Sequence, residues 1–306
     1  MKKIGLIGLG TMGFAIGSNL LKAGYELYVT YHNNRKPAEA LEQEGAVICE
    51  HSSEIARNAS VIFLVVPTEK EVAEQIFSEN GILKGARAGL DIIDMSTIDL
   101  FASRDFAERL LPYGVRYIDA PISGGPAGAK NATMAIMIGA DENDCLDLDP
   151  IFRTIGKRIV YCGAQGLGMA AKLANNLIAS ATMAAISEAF ALSVKAGSDP
   201  EKLYHVLQNA TANSTTLNGK VPKYLNNDYS PAFRLKLMCK DLNIVTSTAK
   251  KLGTYSPIAS LVEQLYVMCK EPYGELDSGA ISLFYQKQAN VSFQRREMEK
   301  DKEAAQ

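Results

Sequence analysis

Histidine is scarce in this chain of 306 residues. Only His32, His51 and His205 occur, and none has a second histidine or a cysteine at metal-ligand spacing. The sequence thus gives no hint of a zinc hydrolase or of a Ser-His-Asp enzyme, and no metal is expected. Paired cysteines are missing too. Cys49, Cys145, Cys162, Cys239 and Cys269 are an odd, scattered set without a Cys-x-x-Cys, which points to reduced thiols in a cytosol. There is no excess of either charge: 32 Lys and Arg stand against 34 Asp and Glu, a net charge of −2. Neither a nucleic acid nor an anionic membrane is advertised as a partner. Long apolar runs are also lacking; beyond the start, the longest is 61–66, far below a bilayer span. Met1-Lys2-Lys3 and the apolar residues behind them resemble a signal peptide. Gly5, Gly8, Gly10, Gly13 and Gly17 break that stretch, and no cleavage site follows. A soluble, cytoplasmic protein is expected.

With 47% hydrophobic and 22% charged residues the chain has an ordinary globular balance, and its length suits two domains. Up to about residue 163 short apolar strands alternate with helical patterns. Strands are expected at 3–8, 27–31, 61–66, 90–95, 115–119, 133–138 and 158–161, with helices at 12–23, 37–44, 69–79, 99–111 and 141–154. Continuous apolar strands between amphipathic helices imply an α/β fold, a Rossmann-like, doubly wound and mostly parallel sheet. From about 168 to 196 runs a proline-free stretch rich in Ala, Leu, Ile and Met, roughly 40 Å long as a helix. Only helical segments follow, at 199–209, 217–225, 240–252, 257–270 and 278–290. The expected organisation is a dinucleotide-binding domain at 1–163, an all-helical domain at 164–290 for substrate and oligomerisation, and a charged tail at 291–306. The long helix is apolar around much of its circumference, which predicts a homodimer or homotetramer with this helix between domains or subunits.

Gly8-Leu9-Gly10-Thr11-Met12-Gly13 is a G-x-G-x-x-G between a strand and a helix. The first glycine permits the turn, the second lets backbone approach a pyrophosphate, and the third lets helix and strand pack closely. After the second strand, where NAD binders place an acidic residue, the chain reads Tyr31-His32-Asn33-Asn34-Arg35-Lys36. Arg35, Lys36 and neutral His32 could face a 2′-phosphate, with Asn34 a cofactor candidate beside them, or the stretch is a solvated basic loop; NADP is favoured over NAD. Ligands of such sheets lie beyond the carboxyl ends of the strands. That places Val66, Pro67 and Thr97 near the cofactor. It also makes Ser123-Gly124-Gly125 a hydroxyl and glycine-amide cradle for a carboxylate, or else a plain Gly/Pro connector. Gly168, Lys172 and Asn176 recur every four residues and share a helix face. A lysine among Ala and Leu is either a snorkelling surface charge or a desolvated amine suited to general acid/base work.

Four ordered motifs carry a resemblance: Gly8 to Gly13; Asp119-Ala120-Pro121-Ile122-Ser123-Gly124-Gly125; Gly166-x-Gly168-x-x-x-Lys172-x-x-Asn175-Asn176; and Lys240-Asp241-Leu242. Over about residues 2–290 the chain resembles the β-hydroxyacid dehydrogenase family. The resemblance implies an NAD(P)-dependent oxidoreductase moving a hydride between nicotinamide and a small carboxylate-bearing 3-hydroxy acid or semialdehyde acid. It further implies a cleft between a Rossmann-like and a helical domain. Lys172 falls on the family's general acid/base and Asn176 on its partner. Ser123, Gly124 and Gly125 fall on the substrate carboxylate site. Gly8–Gly13, Val66, Pro67, Thr97 and Lys240 fall on cofactor contacts. Two alternatives compete: an imine reductase on the same fold, and a non-catalytic dinucleotide-binding scaffold. Relatives of both kinds usually lack the lysine present here.

Overall fold

A computed structural model describes residues 2–295 of the chain. These fall into two compact units, the first ending at Ala174 and the second beginning at Asn175. The first unit starts with β1 (Ile4–Ile7), α1 (Thr11–Lys22), β2 (Leu27–Thr30), α2 (Lys36–Gln43), β3 (Val47–Ile48), α3 (Ser52–Asn58), β4 (Val61–Leu64), α4 (Glu69–Phe77), β5 (Asp91–Asp94), α5 (Leu100–Leu110) and β6 (Arg116–Asp119). The six strands form one sheet in the order β3-β2-β1-β4-β5-β6, and every pairing is parallel. This is the strand order of dinucleotide-binding sheets, with the topological switch between β1 and β4. Period two explains why the strands are apolar throughout. In β4, Val61 and Phe63 enter the core under one face, and Ile62 and Leu64 the core under the other. Each such burial is worth about 1.5–3 kcal/mol.

A second sheet follows: β7 (Ile122–Ser123), α6 (Gly125–Lys130), β8 (Met134–Ile138), α7 (Asp149–Ile155) and β9 (Gly156–Tyr161). Its order is β7-β8-β9, antiparallel then parallel. The sequence reading missed β3, α3, β7 and α6. β3 has two residues, one of them an exposed Val47. α6 begins Gly125-Pro126, which reads as a connector, although proline is well suited to a helix's first turn.

α8 (Leu167–Lys195) is continuous across the boundary between the units. By length and composition alone it could cross a membrane. Lys172, Asn176, Ser180 and Ser187 are nevertheless buried along it, so these four polar side chains face protein. The second unit continues with α9 (Pro200–Gln208), α10 (Thr215–Leu225), α11 (Leu235–Leu252), α12 (Pro257–Tyr273) and α13 (Ile281–Ala289). Tyr224, Tyr266 and Phe190 anchor its cores. The expected charged tail at 291–306 needs correction at its start. Phe293 is fully buried against Phe190 and Tyr224, and Arg295 pairs with Glu201 at 2.9 Å. An aromatic side chain just ahead of a charged stretch is misread by the composition of the whole window. The rest of that segment lies outside the described residues.

Candidate active site

The glycine loop has the geometry its spacing predicts. Gly8 has φ +99°, and a Cβ there would lie 2.3 Å from the Val65 carbonyl oxygen. A Cβ on Gly13 would come within 1.9 Å of the Gly8 oxygen, so α1 can pack on β1 only without a side chain at this position. Around Gly10 nothing lies within 4 Å of such a Cβ. Gly10 is the N-cap of α1, no side chain caps the helix, and its first turn, from Thr11 and Met12 onward, holds no acidic residue. Open space at a helix N-terminus lacking its own capping side chain fits a pyrophosphate. Leu9 packs against the core beside it.

The neighbouring strand ends are braced by polar side chains. The Val66 amide donates to Ser96 Oγ at 3.1 Å, and the Ser96 amide donates to Asp94 Oδ1 at 2.9 Å. Tyr117 donates its hydroxyl to Asp94 Oδ2 at 2.6 Å. Burial and the adjoining Asp94 carboxylate push the Tyr117 phenol well above its usual range. Pro67 thereby follows a tethered residue, and Thr97 follows the tether itself. Beyond β2, Asn34 Oδ1 accepts the Lys36 amide at 3.2 Å. Arg35 is exposed, donates to the Tyr31 hydroxyl at 3.3 Å, lies over the Tyr31 ring, and pairs with Glu39 at 3.1 Å.

Lys172 is 9% exposed, and its ammonium donates to the Ile122 carbonyl at 2.7 Å. That carbonyl immediately precedes Ser123, Gly124 (φ +138°) and Gly125 (φ +62°). The lysine and the proposed carboxylate cradle thus meet in the first unit, and the snorkelling alternative for Lys172 fails. Gly168, on the same helix face, leaves no space for a ligand. A Cβ there would sit 2.3 Å from the Met137 carbonyl oxygen, so this glycine serves close packing of α8 on β8.

In the second unit Asn176 is 5% exposed and donates Nδ2 to Asp241 Oδ2 at 2.6 Å, while Asn175 donates to its Oδ1 at 3.0 Å. Lys240 lies 2.9 Å from Asp241 Oδ1. Asp241, buried on α11, had no functional role in the sequence reading although it sits inside a quoted motif. The signal was its place beside Lys240; its pairing with a residue 65 positions away carried none. Two polar residues at the start of α10 do local structural work. Ser214 caps α10, and Asn213 accepts from Asn218 at 2.8 Å.

A parallel sheet of this order with a glycine-rich turn at its switch point defines a dinucleotide-dependent oxidoreductase fold. Comparison with known proteins agrees. Residues 3–163 match the family model described as the NAD binding domain of 6-phosphogluconate dehydrogenase. Residues 166–284 match that described as NAD-binding of NADP-dependent 3-hydroxyisobutyrate dehydrogenase. The 2-hydroxy-3-oxopropionate reductase of Escherichia coli (strain K12) is 35% identical over 280 residues, covering 91% of this chain and 95% of its own. The 3-hydroxyisobutyrate dehydrogenase of Mycobacterium tuberculosis, solved with L-serine, superimposes with a TM-score of 0.85 at 30% identity, over 93% of this chain and 99% of its own. An imine reductase from Pseudomonas sp. reaches a TM-score of 0.59 at 19% identity, covering 92% and 98%, a likeness of fold alone. The chain belongs to the β-hydroxyacid dehydrogenase family and is an NAD(P)-dependent oxidoreductase of the hydroxyacid dehydrogenase type.

Proposed function

We propose that the protein reduces small semialdehyde acids with NADPH and, in reverse, oxidises the corresponding 3-hydroxy acids. The observation that carries this reading is the buried Lys172 ammonium at the Ile122 carbonyl, beside the Ser123–Gly125 turn. When bound, the nicotinamide supplies or accepts the hydride at the substrate carbon. The chain's residues do the rest. Amides at Gly10–Gly13 bind the pyrophosphate, with Val66, Pro67 and Thr97 lining the cofactor. Arg35 and Asn34 meet the 2′-phosphate, which an acidic residue at this place would repel. The Ser123 hydroxyl and the Gly124 and Gly125 amides grip the substrate carboxylate. Lys172 delivers a proton to the carbonyl oxygen in reduction and withdraws the hydroxyl proton in oxidation. Asn176, one turn further along α8, orients this exchange.

The test is a panel of small semialdehyde acids assayed separately with NADPH and NADH. The reading expects turnover on at least one acid and a higher kcat/KM with NADPH. No turnover would sink the substrate class, and a preference for NADH would sink the cofactor choice. The presence of Lys172 also favours this reading over an imine reductase, since such enzymes usually lack the lysine. A soluble, cytoplasmic homodimer or homotetramer completes the proposal. Ile178 and Leu192 on α8 and Ile258, Leu261 and Met268 on α12 are exposed apolar side chains that support association. A single monomeric species in sedimentation at micromolar concentration would refute it.

A further inference from the structure

At the carboxyl ends of β5 and β6 two buried carboxylates, Asp94 and Asp119, stand in register. Asp94 braces the Val66 loop through Ser96. Asp119 faces a different element. Its Oδ1 accepts the Gly166 amide and its Oδ2 the Met169 amide, both at 2.7 Å. Gly166 immediately precedes α8, and Met169 is the third residue in it. These are the amides a capping box would satisfy from within the helix. Here Gly166 has no side chain to do so, and a carboxylate from a distant strand takes both.

The surroundings are shaped to admit that carboxylate. A Cβ on Gly139 would lie 2.0 Å from Asp119 Oδ1, and one on Gly168 would lie 2.9 Å from Oδ2. The Asp119 carbonyl accepts the Gly139 amide at 2.7 Å, which fixes the strand end itself. Burial pushes the Asp119 carboxyl up, and the Gly166 and Met169 amides pull it back toward ionisation. Three residues beyond Asp119 comes the Ile122 carbonyl, and three beyond Met169 comes Lys172, whose ammonium reaches that carbonyl. Two tethers therefore bind the first two turns of α8 to one four-residue segment, one through backbone amides and one through the lysine itself.

We infer that Asp119 is the positioning residue for Lys172: its carboxylate fixes the first turn of α8 so that the ammonium falls beside the Ser123–Gly125 turn. The catalytic consequence rests on the role proposed for Lys172; the tether does not. An amide at 119 cannot replace the carboxylate, because one of its two heads is a donor and would face a backbone N–H.

The experiment is Asp119→Asn in the full chain, with three readouts: hydrogen exchange of peptides covering 166–172, NADPH affinity by fluorescence titration, and the pH profile of kcat. Exchange at 166–172 should rise at least about tenfold, while exchange at the 8–13 loop and the NADPH dissociation constant stay within about twofold. The kcat should fall roughly tenfold to a hundredfold, as expected for a misplaced catalytic group, with its pH limb displaced. Unchanged exchange at 166–172 in a folded variant overturns the inference. So does a loss shared equally by NADPH binding and the rest of the molecule. If that variant does not fold, Gly168→Ala puts a methyl 2.9 Å from Asp119 Oδ2 and 2.3 Å from the Met137 carbonyl oxygen while keeping the carboxylate. It should reproduce the kcat-selective loss, and wild-type exchange and kcat in it overturn the inference too. Because exchange needs no turnover, a wild-type enzyme inactive on every acid would defeat the proposed function and still leave the tether decided.

Discussion

In the first unit the candidate cofactor and carboxylate loops sit at the ends of strands, and glycine backbone shapes them. Gly8, Gly124 and Gly125 adopt positive φ, and Gly13 and Gly168 have no room for a side chain. The second unit holds its polar groups along helices, and side chains place them. Asn176 is held by Asp241, which also carries Lys240. Asp277 accepts amides from Ala232, Phe233 and Gly279 and pairs with Lys220. A backbone-built site tolerates few substitutions at its glycines. A side-chain-built site instead depends on a few buried charges, each holding several elements, and it should fail as a whole when one is removed.

The largest expected effect tests that second case. Asp277 is 2% exposed and Lys220 side-chain atoms are only partly accessible. Asp277→Asn strands the lysine and releases the segment that starts α11, for a loss of about 3 kcal/mol. Burial alone would raise the Asp277 carboxyl, but Lys220 and the Gly279 and Phe233 amides outweigh it and hold it below the usual range. Because the folded value is the lower one, this stability is present above about pH 4 and is lost as pH falls through the folded value. Urea titrations followed by helical circular dichroism should show the gap between wild type and variant near neutrality and its closure in acid. A gap that widened in acid would contradict the ion pair.

Lys172→Ala comes next, since it removes the group where chemistry is proposed while the glycine loop stays intact. The kcat should fall at least about a hundredfold, with NADPH affinity within about twofold. Lys172→Arg should fail as well, because a guanidinium does not release its proton near neutral pH. Near-normal turnover in either folded variant would return Lys172 to a structural role. Smaller again is Arg35→Ala. The arginine is exposed and already shared between Tyr31 and Glu39, so only part of its interaction with a phosphate is lost. A rise of roughly tenfold in KM for NADPH, with NADH unaffected, is expected for a charge-assisted contact. An equal effect on both cofactors would show that Arg35 does not read the 2′-phosphate.

The same contrast governs what the sequence disclosed. Strands such as Val61–Leu64 were legible because a sheet buried on both faces demands continuous apolar residues. The loop from Gly8 to Gly13 was legible because backbone needs glycine at fixed spacings. Lys172 and Asn176 were singled out by a spacing of four on one helix, but their proposed roles came from the motif resemblance. Ile122–Ser123 and Gly125–Lys130 were hidden because glycine and proline serve a connector as readily as a short strand and helix. Asp119, Asp241 and Asp277 were hidden for another reason. Each acts on residues 44 to 65 positions away, and no local pattern distinguishes such an aspartate from a solvated one. Phe293 was lost at the edge of a charged window, because the composition of a window says nothing about one side chain within it.

The smallest effect belongs to a local device in the first unit. At the start of α4, Thr68 Oγ1 accepts the Glu71 amide at 3.3 Å, and Glu71 Oε2 accepts the Thr68 amide at 2.9 Å, a reciprocal capping box. Thr68→Ala removes one acceptor and leaves Glu71 able to hold the other amide, so the cost should be about 1 kcal/mol. In a unit of this size that corresponds to a fall of roughly 2–4 °C in Tm. Thr68 directly follows Pro67, yet the Val66 tether to Ser96 does not pass through it, so the NADPH dissociation constant should stay within about twofold. The variant therefore asks whether the first unit really delegates placement to separate backbone elements. A loss of cofactor binding far beyond the stability loss would show that the cap and the cofactor loop act as one network, and the contrast between the two units would not hold.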